Sequence, residues 1–168
     1  MPLKQPEFFR EGYELITVIL PATVKDCVRL KDWVKLDHLF QIILAPGSPL
    51  WNELQKFHDF SLIETMISIR DANNDWEEDG IWHDDGSRVF AFSLSLTEDL
   101  LTLQGGRLEI KNIETERCVS VPTPPFGTAI LFLTGVHGYL HRIRKVEAGT
   151  RIVLVGWCSE TQNIPVLN

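Results

Sequence analysis

The sequence predicts a mainly β protein, an antiparallel sandwich or jelly roll with flanking helices on its N-terminal side. Beyond residue 60, short runs of β-branched and aromatic residues recur at intervals of roughly ten residues, with turn residues between them. Before residue 60, apolar residues repeat at helical spacing instead. Residues 1–168 are therefore expected to form one domain. In it, residues 1–60 supply a strand and supporting helices, and residues 61–160 supply the β core.

The N-terminal region is predicted to begin with a loosely ordered lead-in over residues 1–14. Residues 15–20 are rich in β-branched side chains and predict a strand that the next proline ends. Residues 23–40 predict one helix, because their apolar residues form an approximate stripe and Thr23 is a suitable N-terminal cap. A Pro-Gly-Ser-Pro break then leads into a second predicted helix over residues 50–57.

The β core is predicted to start with a strand over residues 61–70. Residues 71–80 are acidic and polar and predict a solvated loop at the rim of a site, where it is also a candidate substrate lid. Their spacing lacks the glycine and the terminal glutamate of an EF-hand calcium loop. Residues 88–97 alternate between large apolar and small side chains. This alternation predicts a strand whose large residues pack against a second layer while the small ones face a cavity.

Further turns and strands complete the predicted core. Gly105 and Gly106 are expected to form an ordinary hairpin turn into a strand over residues 107–111. A proline-rich stretch follows, and three more strands are expected over residues 128–134, 139–145 and 150–157.

Composition and charge narrow the function classes. The formal net charge of -7 argues against nucleic-acid binding, because that function favours a basic surface. The basic cluster at residues 142–145 is interpreted as a solvated strand edge. No apolar run suits a signal peptide or a membrane span, so a cytoplasmic protein without membrane contact is expected. Cys27, Cys118 and Cys158 are odd in number and widely spaced, which favours buried free thiols. The sequence makes no prediction of the oligomeric state.

Three residues suggest a metal site. His83 and Asp85 are two positions apart, and on an extended strand such residues point to the same side. His141 lies in a later strand-like run, and two histidines with one carboxylate form the facial triad that suits non-haem iron(II). Asp84 and His137 are the competing ligands. The same-face geometry selects Asp85 over Asp84, and the glycines around His137 predict a turn there.

Arg151 suggests an anion site. It lies in a strand whose two faces are both apolar, with Val153, Val155 and Trp157 on its own face. Such a strand is expected to be buried on both sides, and a buried guanidinium without an anion costs several kcal/mol. A carboxylate bound through two parallel hydrogen bonds is the simplest counterion.

Taken together, the motifs of the C-terminal half resemble those of the iron(II)/2-oxoglutarate-dependent oxygenases, and the prolyl-hydroxylase-like branch in particular. The matching pieces are, in order, His83-Asp84-Asp85, Gly105-Gly106-Arg107-Leu108-Glu109, Pro124-Pro125-Phe126-Gly127, His141 to Val146, and Gly149-Thr150-Arg151. The resemblance implies a double-stranded β-helix, a distorted jelly roll with N-terminal helices along one sheet. It also implies that His83, Asp85 and His141 bind iron(II), and that Arg151 binds the distal carboxylate of 2-oxoglutarate.

The resemblance further implies a dioxygenase that hydroxylates its substrate with O2 and converts 2-oxoglutarate to succinate and carbon dioxide, with ascorbate as a candidate accessory reductant. A peptidyl or free proline is the suggested substrate, while other protein side chains and small molecules stay open. Val153 departs from the family, because relatives often carry a polar residue at its position. Trp82 and Trp157 are interpreted as core aromatics flanking the site, and Thr128 and Tyr139 as candidate polar groups in the cavity.

Two alternatives stay open. One is a non-catalytic ligand-binding or sensing module on the same fold, since one fold serves many functions. The other is a cupin-like enzyme that uses iron, manganese or zinc without an oxo acid. The intact triad argues against the first alternative, and Arg151 argues against the second, because such a site does not need this arginine.

Overall fold

The computed structural model describes residues 4–160, so the two ends of the expected domain lie outside the described residues. Its helices are α1 (Pro6–Glu11), α2 (Ala22–Leu30), α3 (Trp33–Ile43) and α4 (Pro49–Leu54), and a short 3-10 helix spans Gly135–His137. Its strands are β1 (Tyr13–Thr17), β2 (Leu62–Asp71), β3 (Phe90–Ser95), β4 (Gln104–Gly105), β5 (Leu108–Asn112), β6 (Cys118–Val121), β7 (Thr128–Leu133), β8 (Tyr139–Ile143), β9 (Val146–Ala148) and β10 (Thr150–Ser159).

The strands form antiparallel sheets. A five-stranded sheet has the order β1-β7-β3-β10-β2, a three-stranded sheet has the order β6-β5-β8, and β4 pairs with β9. The five-stranded and three-stranded sheets both contribute side chains to one interior cavity. The fold is therefore the mainly β, double-stranded β-helix that the sequence predicts.

Strand β3 lies between the helices and the interior cavity, and its alternating side chains serve both. All of its residues are buried. The Phe90 ring packs against Phe8 and Phe60 at centroid distances of 6.3 and 5.7 Å, on the side of the helices. Ser93, on the opposite face, lines the cavity. The predicted division into large and small faces is confirmed, and the layer that receives the large residues is the helical one.

One apolar core joins the helices to the larger sheet. Phe8 of α1, Phe40 of α3 and Leu54 of α4 belong to the same buried cluster as Phe92 of β3. Helix α4 ends at Leu54, earlier than the predicted helix over residues 50–57. Within residues 4–160, no helix is long and apolar enough to cross a membrane.

Residues 6–14 form regular structure, in contrast to the loosely ordered lead-in predicted over residues 1–14. Helix α1 has a proline in its first turn and ends at Gly12, whose φ of 82° is left-handed. A Cβ at Gly12 would lie 2.2 Å from Cε1 of Tyr139, so this position requires glycine for space as well as for conformation. Strand β1 follows at once from Tyr13, which places it earlier than the predicted residues 15–20.

The prediction of one helix over residues 23–40 is wrong, because the chain forms two helices there. Lys31 adopts a left-handed conformation with φ 55° at the end of α2. Asp32 then caps α3 by accepting a hydrogen bond from the backbone nitrogen of Lys35 at 3.1 Å. Thr23 is not a cap, since it lies inside the first turn of α2. The apolar stripe continues across the break, which is why periodicity alone did not reveal it.

The predicted hairpin turn at Gly105 and Gly106 is also wrong. Strand β4 pairs with β9, whereas β5 pairs with β6 and β8, so the two glycines carry the chain from one sheet to another. Both have positive φ. A Cβ on Gly106 would lie 2.9 Å from Cδ of Arg151, so this glycine makes room for the arginine side chain.

The prediction of buried free thiols is right for two of the three cysteines. Cys27 and Cys158 are buried, whereas Cys118 is exposed. Cys118 lies on β6, an edge strand of the three-stranded sheet, so one side of its backbone has no neighbouring strand.

Candidate active site

His83 and His141 are partners in a short antiparallel bridge. The backbone nitrogen of His83 donates to the carbonyl oxygen of His141 at 3.0 Å. The backbone nitrogen of His141 in turn donates to the carbonyl oxygen of His83 at 2.9 Å. Residues paired in this way project their side chains to the same face, and the two imidazole centroids lie 4.1 Å apart. The main chain itself thus brings the two predicted ligands together.

Asp85 joins this pair from a turn. Its Oδ2 lies 3.1 Å from Nε2 of His141, and its Oδ1 lies 3.7 Å from Nε2 of His83. Trp157 donates a hydrogen bond from Nε1 to the same Oδ2 at 2.9 Å. The backbone of Asp85 is left-handed, with φ 61°, so the extended-strand geometry that favoured Asp85 is wrong although the residue does join the cluster.

The surroundings of Asp85 favour its ionised form. Burial raises its pKa, but hydrogen bonding and positive charge from His141, the charge of His83 and the Trp157 hydrogen bond together outweigh burial. The pKa of Asp85 therefore lies below its ordinary value. A carboxylate is the form that binds a metal ion.

The second ring nitrogens differ in their contacts. Nδ1 of His83 lies 3.1 Å from the carbonyl oxygen of Ile81, and a proton donated there leaves Nε2 free to bind a metal. Nδ1 of His141 is buried and has no hydrogen-bond partner among residues 4–160. The His141 ring instead packs against Phe132, with the centroids 4.8 Å apart. Packing and the backbone bridge therefore orient His141.

The cluster fits a metal ion such as iron(II). One ligand atom from each of its three residues lies within 4.8 Å of the others. Two imidazoles and a carboxylate are the donor set of non-haem iron(II) sites with open positions. The competing residues have other contacts. Asp84 Oδ1 accepts a hydrogen bond from the backbone of Gly86 at 2.9 Å, and Nε2 of His137 lies 3.1 Å from Nε2 of His58.

Arg151 lies in the interior, as its two apolar strand faces predict. It is only 2% exposed, and its guanidinium donates to the hydroxyl oxygens of Thr123 and Ser93, each at 3.2 Å. Arg151 forms no ion pair with any of the described residues. Burial, followed by the positive charge of Arg70, lowers the pKa of Arg151 to about 9, and the charge of Asp79 opposes the shift. Arg151 is thus a buried cation without a bonded anion among residues 4–160.

One cavity of about 70 Å³ connects the metal cluster and Arg151, because His83, His141 and Arg151 all line it. The rest of its lining is mixed, with apolar side chains from Met66, Leu108, Phe132, Ile143, Val155 and Trp157 and polar ones from Ser68, Arg70, Glu78 and Ser93. A cavity that offers metal ligands and a buried guanidinium together suits a ligand that binds a metal at one end and presents an anion at the other.

The hydroxyls of Ser93 and Thr123 supply the polar contacts to the Arg151 guanidinium that the apolar Val153 cannot make. Ser93 was expected to face a cavity, whereas Thr123 was missed, because it follows β6 and meets Arg151 only through the fold. Ser68 and Arg70 were missed too, although the alternation of Met66, Ser68 and Arg70 along β2 was a usable signal for one interior face.

The other predicted polar groups do not reach the cavity. Thr128 pairs with Thr17 of β1, and the hydroxyl of Tyr139 donates to the carbonyl oxygen of Phe9 at 3.3 Å. Of the two predicted flanking tryptophans, Trp157 lines the cavity. Trp82 does not line the cavity, and its ring instead stacks against the guanidinium of Arg142 at 4.2 Å.

The acidic loop of residues 71–80 does lie at the rim of this site. Glu78 lines the cavity, while the backbone of Gly80 donates to the carbonyl oxygen of Ile143 at 2.8 Å. Asp75 forms an ion pair of 2.8 Å with Lys145, which follows β8. The loop is thereby tied to the three-stranded sheet, and its role as a substrate lid stays a prediction.

Solved structures with a similar fold include three prolyl hydroxylases. A Pseudomonas putida prolyl-4-hydroxylase is 18% identical, with 89% of this chain and 88% of that chain covered and a TM-score of 0.59. The viral collagen prolyl hydroxylase of Paramecium Bursaria Chlorella virus-1 is 14% identical, with 90% of each chain covered and a TM-score of 0.54. A Trichoplax adhaerens prolyl hydroxylase, in complex with a hypoxia inducible factor peptide fragment, is 12% identical, with 92% of this chain and 86% of that chain covered and a TM-score of 0.59.

The family is shown by the sequence of the β core. No curated protein shows significant similarity to this chain. The family model of the 2OG-Fe(II) oxygenase superfamily, however, matches residues 70–159, which is more than half of the chain and includes the metal cluster and Arg151. The chain therefore belongs to the 2OG-Fe(II) oxygenase superfamily and is a dioxygenase that uses iron(II) and 2-oxoglutarate.

Proposed function

We propose that the protein hydroxylates an organic substrate, with iron(II) bound by His83, Asp85 and His141 and with 2-oxoglutarate bound through its distal carboxylate by Arg151. The observation that carries this proposal is the shared cavity, which is lined by the metal cluster and by a buried arginine without a bonded carboxylate. A molecule with a 2-oxo acid at one end and a carboxylate at the other matches both.

The residues of the chain would position the reactants. The bound iron(II) supplies O2 activation, in which one oxygen atom enters a substrate C–H bond and the other enters succinate while carbon dioxide leaves. Trp157 holds the Asp85 carboxylate in place. The hydroxyls of Ser93 and Thr123 orient the guanidinium of Arg151 by accepting hydrogen bonds from its N–H groups. The apolar side chains of the lining exclude water from the reacting groups.

For the substrate we propose a prolyl or other peptidyl side chain, or a small molecule with an aliphatic carbon. Support comes from the similar folds that are named prolyl hydroxylases, one of them in complex with a peptide. Met66 and Val155 line the cavity, and Met66 is 43% exposed. An apolar group can therefore approach from solvent along these side chains without burying an unpaired polar atom.

We also propose that residues 1–168 act as a single catalytic domain. The support is the shared apolar core, in which side chains of α1, α3 and α4 pack with those of β3. Residues 1–60 would then serve as the support for the β core of residues 61–160.

The first experiment is an anaerobic titration of metal-free protein with iron(II) and 2-oxoglutarate, followed by visible absorption. Wild type is expected to show the weak metal-to-ligand charge-transfer band of a chelated 2-oxo acid. His141→Ala should abolish the band, and Arg151→Ala should shift its half-saturation to higher 2-oxoglutarate concentration. His137→Ala is the matched control, because this histidine lies outside the cavity lining and should leave the band unchanged.

Three outcomes separate the alternatives. A band together with succinate release in the presence of O2 supports the oxygenase. A band without turnover on any candidate substrate, including the slow uncoupled reaction, favours a ligand-binding module. Metal binding without a band in correctly folded wild type would overturn the proposal and favour a cupin-like site that does not use an oxo acid.

A further inference from the structure

A second arginine lies directly beside Arg151. Arg70 of β2 is the cross-strand partner of Arg151 of β10. Residues opposite each other on neighbouring antiparallel strands point to the same face, and both arginines line the cavity. Arg70 is 8% exposed and Arg151 is 2% exposed. Two like charges placed directly opposite each other destabilise a sheet unless an anion lies near them.

Among the described residues, only one acid forms an ion pair with either of these two cations. Asp79 forms an ion pair with Nη1 of Arg70, and the Arg70 guanidinium also stacks on Trp76 at 4.7 Å. Glu78 lines the cavity too, but it is exposed. Within the described part of the chain, the two arginines thus have a single paired acid between them.

Two buried polar atoms beside this pair have no partner among residues 4–160. They are Nε of Arg70 and Oγ of Ser68, which both belong to cavity-lining residues of β2. A buried N–H or hydroxyl without a partner is destabilising, so such groups usually have a ligand or a water. The positive charge of Arg70 also contributes to the lowered pKa of Arg151. These observations indicate a place for an anion in the cavity, against the face that β2 and β10 share.

We propose that Arg70 and Ser68 form a second half of the 2-oxoglutarate subsite, in which the distal carboxylate is held between the guanidinium groups of Arg70 and Arg151. This inference rests on the proposed function. It adds a ligand-binding residue from a different strand. In this arrangement Arg70 binds both the Asp79 carboxylate and the distal carboxylate of the ligand. The site would select dicarboxylic 2-oxo acids, because a monocarboxylic one leaves both guanidinium groups without a new partner.

A purely structural role for Arg70 makes a different prediction. In that case Arg70 only fastens the acidic loop through Asp79, and removal of either residue loosens the loop and has the same effect on binding. In the proposed subsite, Arg70 attracts the ligand whereas Asp79 competes with it. Replacement of Asp79 should then leave binding as tight as in wild type or make it tighter.

The test is calorimetry of 2-oxo acid binding to the full chain loaded with manganese(II) under anaerobic conditions. The two ligands are 2-oxoglutarate and 2-oxopentanoate, which has the same carbon chain without the distal carboxylate. Arg70→Met is expected to weaken 2-oxoglutarate binding about tenfold or more, since hydrogen bonds to charged groups are lost, and to leave 2-oxopentanoate binding within about twofold. Arg70→Lys, which keeps the charge, should retain part of the affinity.

Arg142→Met is the matched control. Like Arg70, Arg142 pairs with an acid, Glu109, and stacks on a tryptophan, Trp82, but it does not line the cavity. Its replacement should leave both affinities unchanged. Thermal unfolding of each variant shows that the chain is folded at the assay temperature.

The outcomes divide as follows. The inference is overturned if folded Arg70→Met binds 2-oxoglutarate within twofold of wild type, or if Asp79→Asn weakens binding as much as Arg70→Met does. Equal weakening of both 2-oxo acids would overturn it too, because the loss would then not concern the distal carboxylate. Wild-type protein that binds neither 2-oxo acid would overturn the proposed function itself.

Discussion

Replacement of Trp157 by phenylalanine tests how the metal-binding carboxylate is held. The indole Nε1 donates a hydrogen bond of 2.9 Å to Oδ2 of Asp85, and the Asp85 side chain is only 11% exposed. Phenylalanine keeps an aromatic ring in the cavity wall but removes this donor. The carboxylate, which stands on a left-handed turn, then loses a contact that aims it at the two imidazoles.

The expected size of the effect follows from the kind of bond that is lost. A hydrogen bond to a charged group contributes about 1.5–3 kcal/mol, and each 1.4 kcal/mol corresponds to roughly a factor of ten in affinity. Loss of residues that orient metal ligands typically weakens metal binding about 10- to 100-fold. We therefore expect Trp157→Phe to raise the dissociation constant for iron(II) by about 10- to 100-fold.

The assay is an anaerobic competition titration of iron(II) against a chromogenic chelator. Trp82→Phe is the control, because its ring contacts the guanidinium of Arg142 at 4.2 Å and does not line the cavity. This variant should bind iron(II) like wild type. Equal affinities of Trp157→Phe and wild type, with both proteins folded, would refute the view that the indole positions Asp85.

Two further predictions concern the stability of the fold and the reactivity of an exposed thiol. Gly106→Ala should lower the free energy of unfolding, measured in urea, by about 1–2 kcal/mol, because the residue has a left-handed φ. It should also weaken 2-oxoglutarate binding, because a Cβ would lie 2.9 Å from Cδ of Arg151. Gly47→Ala, at a left-handed glycine with open space around it, should lower stability without changing that affinity, and equal affinities of both variants would contradict the reasoning. A thiol reagent should label one cysteine rapidly in the native protein, the exposed Cys118, because the other two are buried and burial raises the pKa of the Cys158 thiol. Rapid labelling of folded Cys118→Ser would show that this assignment is wrong.

His83, Asp85 and Arg151 could be predicted because each lies in a short local pattern, whereas His141 was assigned from its strand-like run and from the order of motifs that resembles the family. His83 and Asp85 are almost adjacent in sequence, and Arg151 lies in a strand that is apolar on both faces. The contribution of Arg70 could not be predicted in the same way. Its position opposite Arg151 depends on the register between β2 and β10, which are far apart in the chain. Long-range register is a property of the folded sheets rather than of either strand alone.

The fold class was readable from alternation and turn spacing, whereas the helix boundaries were not. The break between α2 and α3 depends on the left-handed conformation of Lys31 and the cap at Asp32, neither of which interrupts the apolar stripe. The misplaced hairpin at Gly105 has a similar cause, since two glycines indicate a turn but do not tell which strands pair on either side of it.

The backbone bridge between His83 and His141 separates folding from metal loading. Because two main-chain hydrogen bonds already join these residues, the loss of backbone freedom occurs when the sheets form rather than when the ion enters. Small zinc domains behave differently, since they are unfolded without their metal. This protein is expected to persist as a folded apoprotein and to exchange its ion without unfolding. Iron supply would then regulate how many molecules are active, and not how many are folded.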